Sequence, residues 1–330
     1  MHLLSIRELS TEQIQEILAL AKELKQIALS GGSLPDLSGR VVGMLFFENS
    51  TRTRVSFEQA ARKLRMDVTS FGIMGSSMAK GETLKDTVLT LKHEGIDSLV
   101  MRHHASGAPY LAARFFEGPV INAGDGMHEH PTQALADALT IIESKGTIQG
   151  LNVAIVGDVQ HSRVARSNLW LLSKLNANVR LVGPLTLMPR HTGMLPASVH
   201  YDLMTGIKDA DVVMALRLQK ERMNSGLISS LGEYASLYQI NERSLKAAKP
   251  DCIVMHPGPI NRGLELDDRT ADGKHSVITQ QVENGIFVRM AVFVTVFREK
   301  SSVEKTTKVR RLHSETQKEE QAPAMGKKSS

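Results

Sequence analysis

Ser50-Thr51-Arg52-Thr53-Arg54 places three hydroxyls and two guanidinium groups in five consecutive residues. The segment stands where a strand-patterned run, Val41-Val42-Gly43-Met44-Leu45-Phe46-Phe47, gives way to a helix-patterned run that starts at Val55. The first turn of a helix presents backbone N–H groups without intrahelical acceptors, and the aligned peptide dipoles put partial positive charge there. Hydroxyls and arginines added to that end make an anion site into which a phosphate fits. For this segment alone there is a simpler reading, in which Ser50 or Thr51 caps the helix and both arginines are solvated.

Five more polar clusters stand at the ends of strand-like runs: Arg102-His103-His104, His130-Pro131-Thr132-Gln133, Gly157-Asp158 with Arg163, Arg217-Leu218-Gln219, and His256-Pro257-Gly258-Pro259. Six such clusters on one edge of a strand set form a single cleft rich in anion-binding groups, so the expected ligands are acidic. Singly, each has a plainer role. His130 reads as a helix-start histidine held by a backbone carbonyl, and Arg217 and Arg222 read as a solvated basic face. His103, His104, His128 and His130 raise a metal site, but no helical i, i+4 pair and no cysteine accompanies them, so no metal is expected and His128 is taken as incidental.

The elements that must carry these clusters alternate. Ser10 and Gln13 make a capping-box pair, after which Ile14, Ile17, Leu18, Ala21 and Leu24 recur at helical spacing up to Gly31-Gly32. A strand over 68–71, a polar glycine-bearing loop over 72–82 that reads as mobile, a helix over 83–93, a strand over 98–101, a helix over 110–116 and a strand over 119–122 follow. The pattern predicts a parallel sheet. A helix over 134–143 links it to a second series, with strands at 151–158, 178–182, 211–214 and 252–255 and a helix over 164–175. The expected fold is α/β in two domains, each a mainly parallel sheet flanked by helices, with the active site in the cleft between them. The boundaries drawn are 1–136 plus 284–298 for one domain and 137–283 for the other, with 299–330 a charged, disordered tail.

Composition narrows the function. A chain of 330 residues, 42% hydrophobic and 23% charged, can bury a sizeable core. No run of about 18 apolar residues suggests a membrane span, and the first residues lack a secretory pattern, so a cytoplasmic location is expected. The single cysteine, Cys252, allows no intrachain disulfide and reads as core. Net charge is +5, but residues 298–330 hold nine Lys/Arg against five Asp/Glu, which leaves the body near neutral. With aromatics at 4%, neither the charge nor the stacking surface for nucleic acid is present. The strand at 153–158 imitates a dinucleotide fold, yet no G-x-G-x-x-G follows it.

S-T-R-T-R with H-P-T-Q resembles the aspartate/ornithine carbamoyltransferase family over about residues 1–295. The likeness extends to Gly81-Glu82-Thr83, Gly124-Asp125-Gly126, Gln219-Lys220-Glu221-Arg222 and Met290-Ala291-Val292. The resemblance implies transfer of the carbamoyl group of carbamoyl phosphate to the amine of L-aspartate, giving N-carbamoyl-L-aspartate and phosphate for pyrimidine synthesis, without a cofactor. It implies that Ser50, Thr51, Arg52 and Thr53 grip the phosphate and that Thr53, Arg102 and His130 surround the carbonyl oxygen. Gln133 and the backbone carbonyls of Pro257 and Gly258 would hold the carbamoyl NH2. Arg163 would take the α-carboxylate of aspartate, and Arg217, Gln219 and Lys80 the β-carboxylate, with Gly258 and Pro259 completing that site.

Ser76 and Lys80 would reach the active site of a neighbouring subunit, which implies a homotrimer, alone or in a larger assembly with regulatory chains or a dihydroorotase-like protein. Glu48 would bridge Arg163 and Arg222 across the domains and hold the closed state. Within the family the alternative is ornithine as acceptor. That branch usually carries His-Cys-Leu-Pro where this chain has His256-Pro257-Gly258-Pro259, and the cationic Arg217 and Lys80 suit an anionic side chain. The tail departs from the family pattern: Phe293-Val294-Thr295-Val296-Phe297 is rich in β-branched and aromatic residues and precedes an extension read as solvated.

Overall fold

The computed structural model describes residues 1–72, 81–219 and 226–298. The expected mobile loop, Ser76, Lys80, Arg222 and the tail over 299–330 therefore lie wholly or largely outside the described residues.

α1 (Thr11–Leu29) opens as its sequence predicts, with Ser10 and Gln13 exchanging both bonds of the capping box. Four parallel strands form the first sheet: β1 (Val41–Phe46), β2 (Asp67–Gly72), β3 (Ser98–His103) and β4 (Val120–Asp125), in the order β2-β1-β3-β4. Between them run α2 (Thr51–Lys63), α3 (Leu84–His93) and α4 (Ala108–Phe115). α5 (Pro131–Lys145) leads to the second sheet, whose strands are β5 (Asn152–Val156), β6 (Asn178–Val182), β7 (Ser198–His200), β8 (Val212–Ala215) and β9 (Ile253–Met255). Their order is β7-β6-β5-β8-β9, again all parallel. α6 (Arg163–Lys174) follows β5, and the short helices α7 (Leu203–Gly206), α8 (Leu231–Tyr238) and α9 (Asp268–Ala271) fill the later connections. A last helix, α10, covers 278–298.

Strand order reverses between β1 and β3 in one sheet and between β5 and β8 in the other, and ligands of open parallel sheets bind outside the carboxyl ends at such points. The polar clusters leave the sheets at the carboxyl ends of β1, β3, β4, β5, β8 and β9. The largest apolar cluster runs through both lobes, from Leu24 of α1 and Phe57 of α2 through Leu135 and Leu139 of α5 to Leu171 of α6 and Phe293 of α10. Cys252 is buried, as read from sequence.

Several element boundaries differ from the sequence reading. α5 begins at Pro131 rather than Ala134, because proline is compatible with a first helical position whose missing N–H would be unpaired anyway, and this puts Gln133 in the first turn. α10 runs on through Phe293, Val294, Val296 and Phe297, all buried, so packing overrides their β preference. Phe293 meets Phe57 edge-on at 5.9 Å between ring centroids. Among the described residues no helix is long and apolar enough to cross a membrane.

Candidate active site

A cleft of about 720 Å³ lies between the two sheets, and every one of the six sequence clusters contributes at least one lining residue. Ser50 occupies the N-cap position of α2 but makes no side-chain cap bond, so the plain capping role is not what forms. Thr51, Arg52 and Thr53 join it on the cleft wall. Arg54 does not: it turns along the helix toward Glu58, 3.8 Å away, which leaves Arg52 as the guanidinium contributed by this motif. No acidic residue sits in the first turn, so nothing there offsets the positive helix end.

The guanidinium of Arg52 lies directly on the backbone of the 256–259 loop. A Cβ built on Gly258 would fall 1.2 Å from Arg52 Nη1, and Gly258 has φ +66. That loop is held by His256, whose Nδ1 accepts from Gly258 N at 2.8 Å while Nε2 faces Glu265 Oε1 at 3.2 Å. Because a backbone N–H can only donate, Nδ1 is bare and the proton sits on Nε2. Burial, helped by the charges of Arg52 and Arg217 and opposed by Glu265, pushes the imidazole below its usual range.

His130 is 4% exposed, at the N-cap of α5, with its backbone N–H donated to Ser167 Oγ at 2.8 Å. The imidazole makes no cap bond and its Nδ1 has no hydrogen-bond partner, so the helix-start role read from sequence, a histidine held by a backbone carbonyl, does not form. Ser167 Oγ donates in turn to the buried Glu129 Oε2 at 2.9 Å, which ties the backbone at the start of α5 to α6. Burial first, then Arg102, Arg163 and Arg289, hold the His130 imidazole well below its ordinary pKa, so it is neutral at pH 7.

Arg163, the first residue of α6, is 5% exposed. Its Nη2 donates to Glu48 Oε2 at 2.7 Å and its Nη1 to Gly126 O at 3.3 Å. The same Glu48 oxygen lies 3.2 Å from Arg102 Nε, while Arg102 Nη1 donates to Ala123 O at 3.2 Å. Gly124, at φ +116, lies beneath both arginines, a Cβ there falling 3.0 Å from Arg163 Cζ and 3.1 Å from Arg102 Nη1. A side chain at this position would crowd the two guanidiniums and strain the backbone.

Beyond β8, Arg217 and Gln219 line the cleft from the second lobe. Gln219 N donates to the buried Asp158 Oδ2 at 3.3 Å, and Asp158 Oδ1 also engages His161 at 2.8 Å, so Asp158 shapes the loop rather than the cavity. Gln133 and Pro257, Gly258 and Pro259 line it as well.

His103, His104 and His128 stand outside it. His103 stacks on His104 at 4.2 Å, and His128 Nδ1 meets Asp125 Oδ2 at 3.0 Å. Among the described residues no three His, Cys, Asp or Glu side chains gather as a metal site would require. Sequence reasoning missed Ser56 and Arg289, which also line the cleft, Arg289 Nη1 donating to Ser56 Oγ at 2.7 Å. Arg289 is buried, and desolvation pushes it down to about 10 against the pull of Asp137. Its sequence signal is a single charge inside the apolar run 286–297.

A helix-end anion site from one lobe shares its cleft with Arg163 and Arg217 from the other, which defines a two-lobed α/β protein built to bring two anionic molecules together. Residues 1–143 match the family model described as aspartate/ornithine carbamoyltransferase, carbamoyl-P binding domain, and residues 149–296 match its Asp/Orn binding domain. The chain belongs to the aspartate/ornithine carbamoyltransferase family. It is 52% identical to the aspartate carbamoyltransferase catalytic subunit of Acidiphilium cryptum, over 90% of this chain and 96% of that one. The fold is similar to aspartate transcarbamoylase from Trypanosoma cruzi in complex with carbamoyl phosphate and aspartate, with a TM-score of 0.80 at 34% identity, covering 88% of this chain and 95% of the other. It is also similar to the ornithine carbamoyltransferase of Pyrococcus furiosus, with a TM-score of 0.77 at 31% identity over 88% and 95%.

Proposed function

We propose that this chain transfers the carbamoyl group of carbamoyl phosphate to L-aspartate, giving N-carbamoyl-L-aspartate and phosphate, the reaction that opens pyrimidine synthesis. The observation that carries the reading is that Ser50, Thr51, Arg52 and Thr53 line one cleft together with Arg163 and Arg217, a phosphate cradle beside receptors for a dicarboxylate. The relatives named for aspartate support that acceptor, and so does the absence of a cysteine in His256-Pro257-Gly258-Pro259.

In this reading the phosphate of the donor seats on the N-terminus of α2 and on Arg52. Its carbonyl oxygen faces Thr53, Arg102 and the neutral imidazole of His130, which donates one N–H. Gln133 and the carbonyls of Pro257 and Gly258 receive the donor NH2. Arg163 binds the α-carboxylate of aspartate, and Arg217 and Gln219, with Lys80, bind the β-carboxylate beside Gly258 and Pro259. The amine attacks the carbonyl carbon, a C–N bond forms, and charge builds on the oxygen beneath those donors. The C–O bond to phosphate then breaks, and the amine proton leaves with the phosphate. Placement and preorganised charge supply the acceleration.

The donor lobe comprises 1–136 plus 284–298 and the acceptor lobe 137–283. Ser76 and Lys80 act in the site of a neighbouring subunit, so the working form is a cytoplasmic homotrimer. Glu48, with Arg163 and Arg222, joins the lobes when both substrates are bound. The purified protein is assayed with carbamoyl phosphate and either aspartate or ornithine, and its native mass is measured. Carbamoylation of aspartate by a trimer is expected. Transfer to ornithine alone would overturn the acceptor assignment, and a fully active monomer would remove the shared-site role of Ser76 and Lys80.

A further inference from the structure

Asp137 lies one helical turn beyond Gln133 on α5 and is fully buried. Three amide N–H donors converge on it. Gln133 Nε2 donates to Oδ1 at 2.8 Å, Gln281 Nε2 to the same oxygen at 2.9 Å, and Asn168 Nδ2 to Oδ2 at 2.7 Å. Asp137 accepts at both oxygens, and three converging amide donors favour its ionised form against the cost of burial. Burial pushes its pKa up, while the three amides and Arg289 pull the other way.

A glutamine side chain ends in one acceptor and one double donor, and which of them faces the cleft depends on what holds the other. With Nε2 bound to Asp137, the atom of Gln133 left for a ligand in the cleft is the acceptor Oε1. Gln281 is turned the same way: its Nε2 is on Asp137, and its Oε1 accepts from His256 N at 2.9 Å. That bond anchors the chain just before Pro257 and Gly258. Asp137 thus fixes the polarity of one wall of the pocket and the position of another.

We propose that Asp137 is a positioning residue for donor selectivity: by locking the Gln133 amide with its oxygen toward the cleft and seating the 256–258 backbone through Gln281, it makes the site accept a donor that carries an N–H2 group beside its reacting carbonyl. An acyl phosphate with a methyl there has no N–H to offer those acceptors and leaves them unpaired. This rests on the carbamoyl-transfer reading above.

The probe is acetyl phosphate, which replaces the amine of carbamoyl phosphate by methyl, used as a competitive inhibitor, with inorganic phosphate as the control ligand. In Asp137→Asn one acceptor oxygen becomes a donor, Gln133 loses its reason to face inward with Oε1, and kcat/KM for carbamoyl phosphate is expected to fall about tenfold or more. The inhibition constants of acetyl phosphate and phosphate are expected to stay within about twofold, since neither uses the amide wall. Asn168→Leu removes a donor from the same carboxylate without touching Gln133 and is expected to keep the discrimination. In a Gln133→Ala background Asp137→Asn should cost clearly less than in the wild type, the remainder passing through Gln281. Thermal midpoints check folding, and Asp137→Ser carries the same comparison if the Asn variant does not fold. Equal losses for all three ligands, or an unchanged ratio between carbamoyl and acetyl phosphate, overturn the proposal. Wild-type protein inactive with carbamoyl phosphate and aspartate would instead sink the underlying reading, so the two failures are separable.

Discussion

Glu48 Oε2 sits 2.7 Å from Arg163 Nη2, which joins the loop after β1 in one lobe to the first turn of α6 in the other. The same oxygen is 3.2 Å from Arg102 Nε, so one carboxylate holds two cations apart from each other's repulsion. Their side chains are 6% and 14% exposed, too little for water to replace that charge fully. Arg163 also stands at a helix N-terminus, where a cation is disfavoured by about 0.3–1 kcal/mol. Glu48 offsets both penalties.

Glu48→Gln is therefore expected to raise KM for aspartate and lower kcat, with kcat/KM down about tenfold, equal to roughly 1.4 kcal/mol of transition-state stabilisation. Binding of inorganic phosphate, which uses the α2 terminus, should change far less. Steady-state kinetics and phosphate inhibition check both arms. A variant with normal aspartate kinetics would show that Arg163 needs no tether.

Arg52→Ala and His130→Ala should each lower kcat by about 10² to 10³, the usual loss for one preorganised donor to developing charge. Both should remain folded. Arg52 is exposed on the cleft wall, and the structural bond of His130 is made by its backbone N–H to Ser167, which alanine keeps. Circular dichroism and single-turnover assays separate the two effects. Full turnover in either variant refutes its assigned role.

Arg217→Ala acts on the other substrate. Loss of a charged hydrogen bond costs about 1.5–3 kcal/mol, so kcat/KM for aspartate should drop roughly tenfold to a hundredfold. The affinity for phosphate should change far less, since Arg217 comes from the segment after β8 and is not part of the α2 cradle. Isothermal titration with phosphate and initial rates against aspartate read these separately. A matched loss for both ligands would mean that Arg217 shapes the cleft rather than the acceptor.

What sequence made legible follows from the range of the interactions. Ser10 with Gln13, the strand-to-helix change at Ser50, and the polar residues ending each strand are local patterns, and the fold places them as local rules require. The turning of Arg54 to Glu58 is also local, yet S-T-R-T-R gives both arginines the same composition, and only the helix phase separates them. Asp137, Gln281 and Arg289 were not legible as site residues. Asp137 reads as one polar position of an amphipathic helix until Gln281, 144 residues on, is brought against it. The Glu48–Arg102 contact escaped for the same reason: it depends on how β1 and β3 lie side by side.

His256 gives a pH dependence with a definite sign. Its imidazole is 1% exposed, and its bare Nδ1 accepts the Gly258 N–H, a bond that protonation would destroy. Burial holds the folded pKa below the unfolded value of 6.5, so the unfolded chain takes up the proton first as pH falls. The stability this group contributes is complete above about pH 6.5 and is lost as pH drops through the folded pKa. Glu129 and Asp137, whose burial raises their pKa values, act in the opposite sense, so the total curve does not isolate the effect. The difference between wild type and His256→Gln does, because glutamine does not titrate and any lost packing is a constant offset. The gap in thermal midpoint is expected to be widest at neutral pH and to narrow steadily toward pH 5, as measured by scanning fluorimetry. A gap of constant size across that range would mean that His256 takes up its proton equally in the folded and unfolded chains, and would overturn the burial and the Nδ1 bond as the source of the pH dependence.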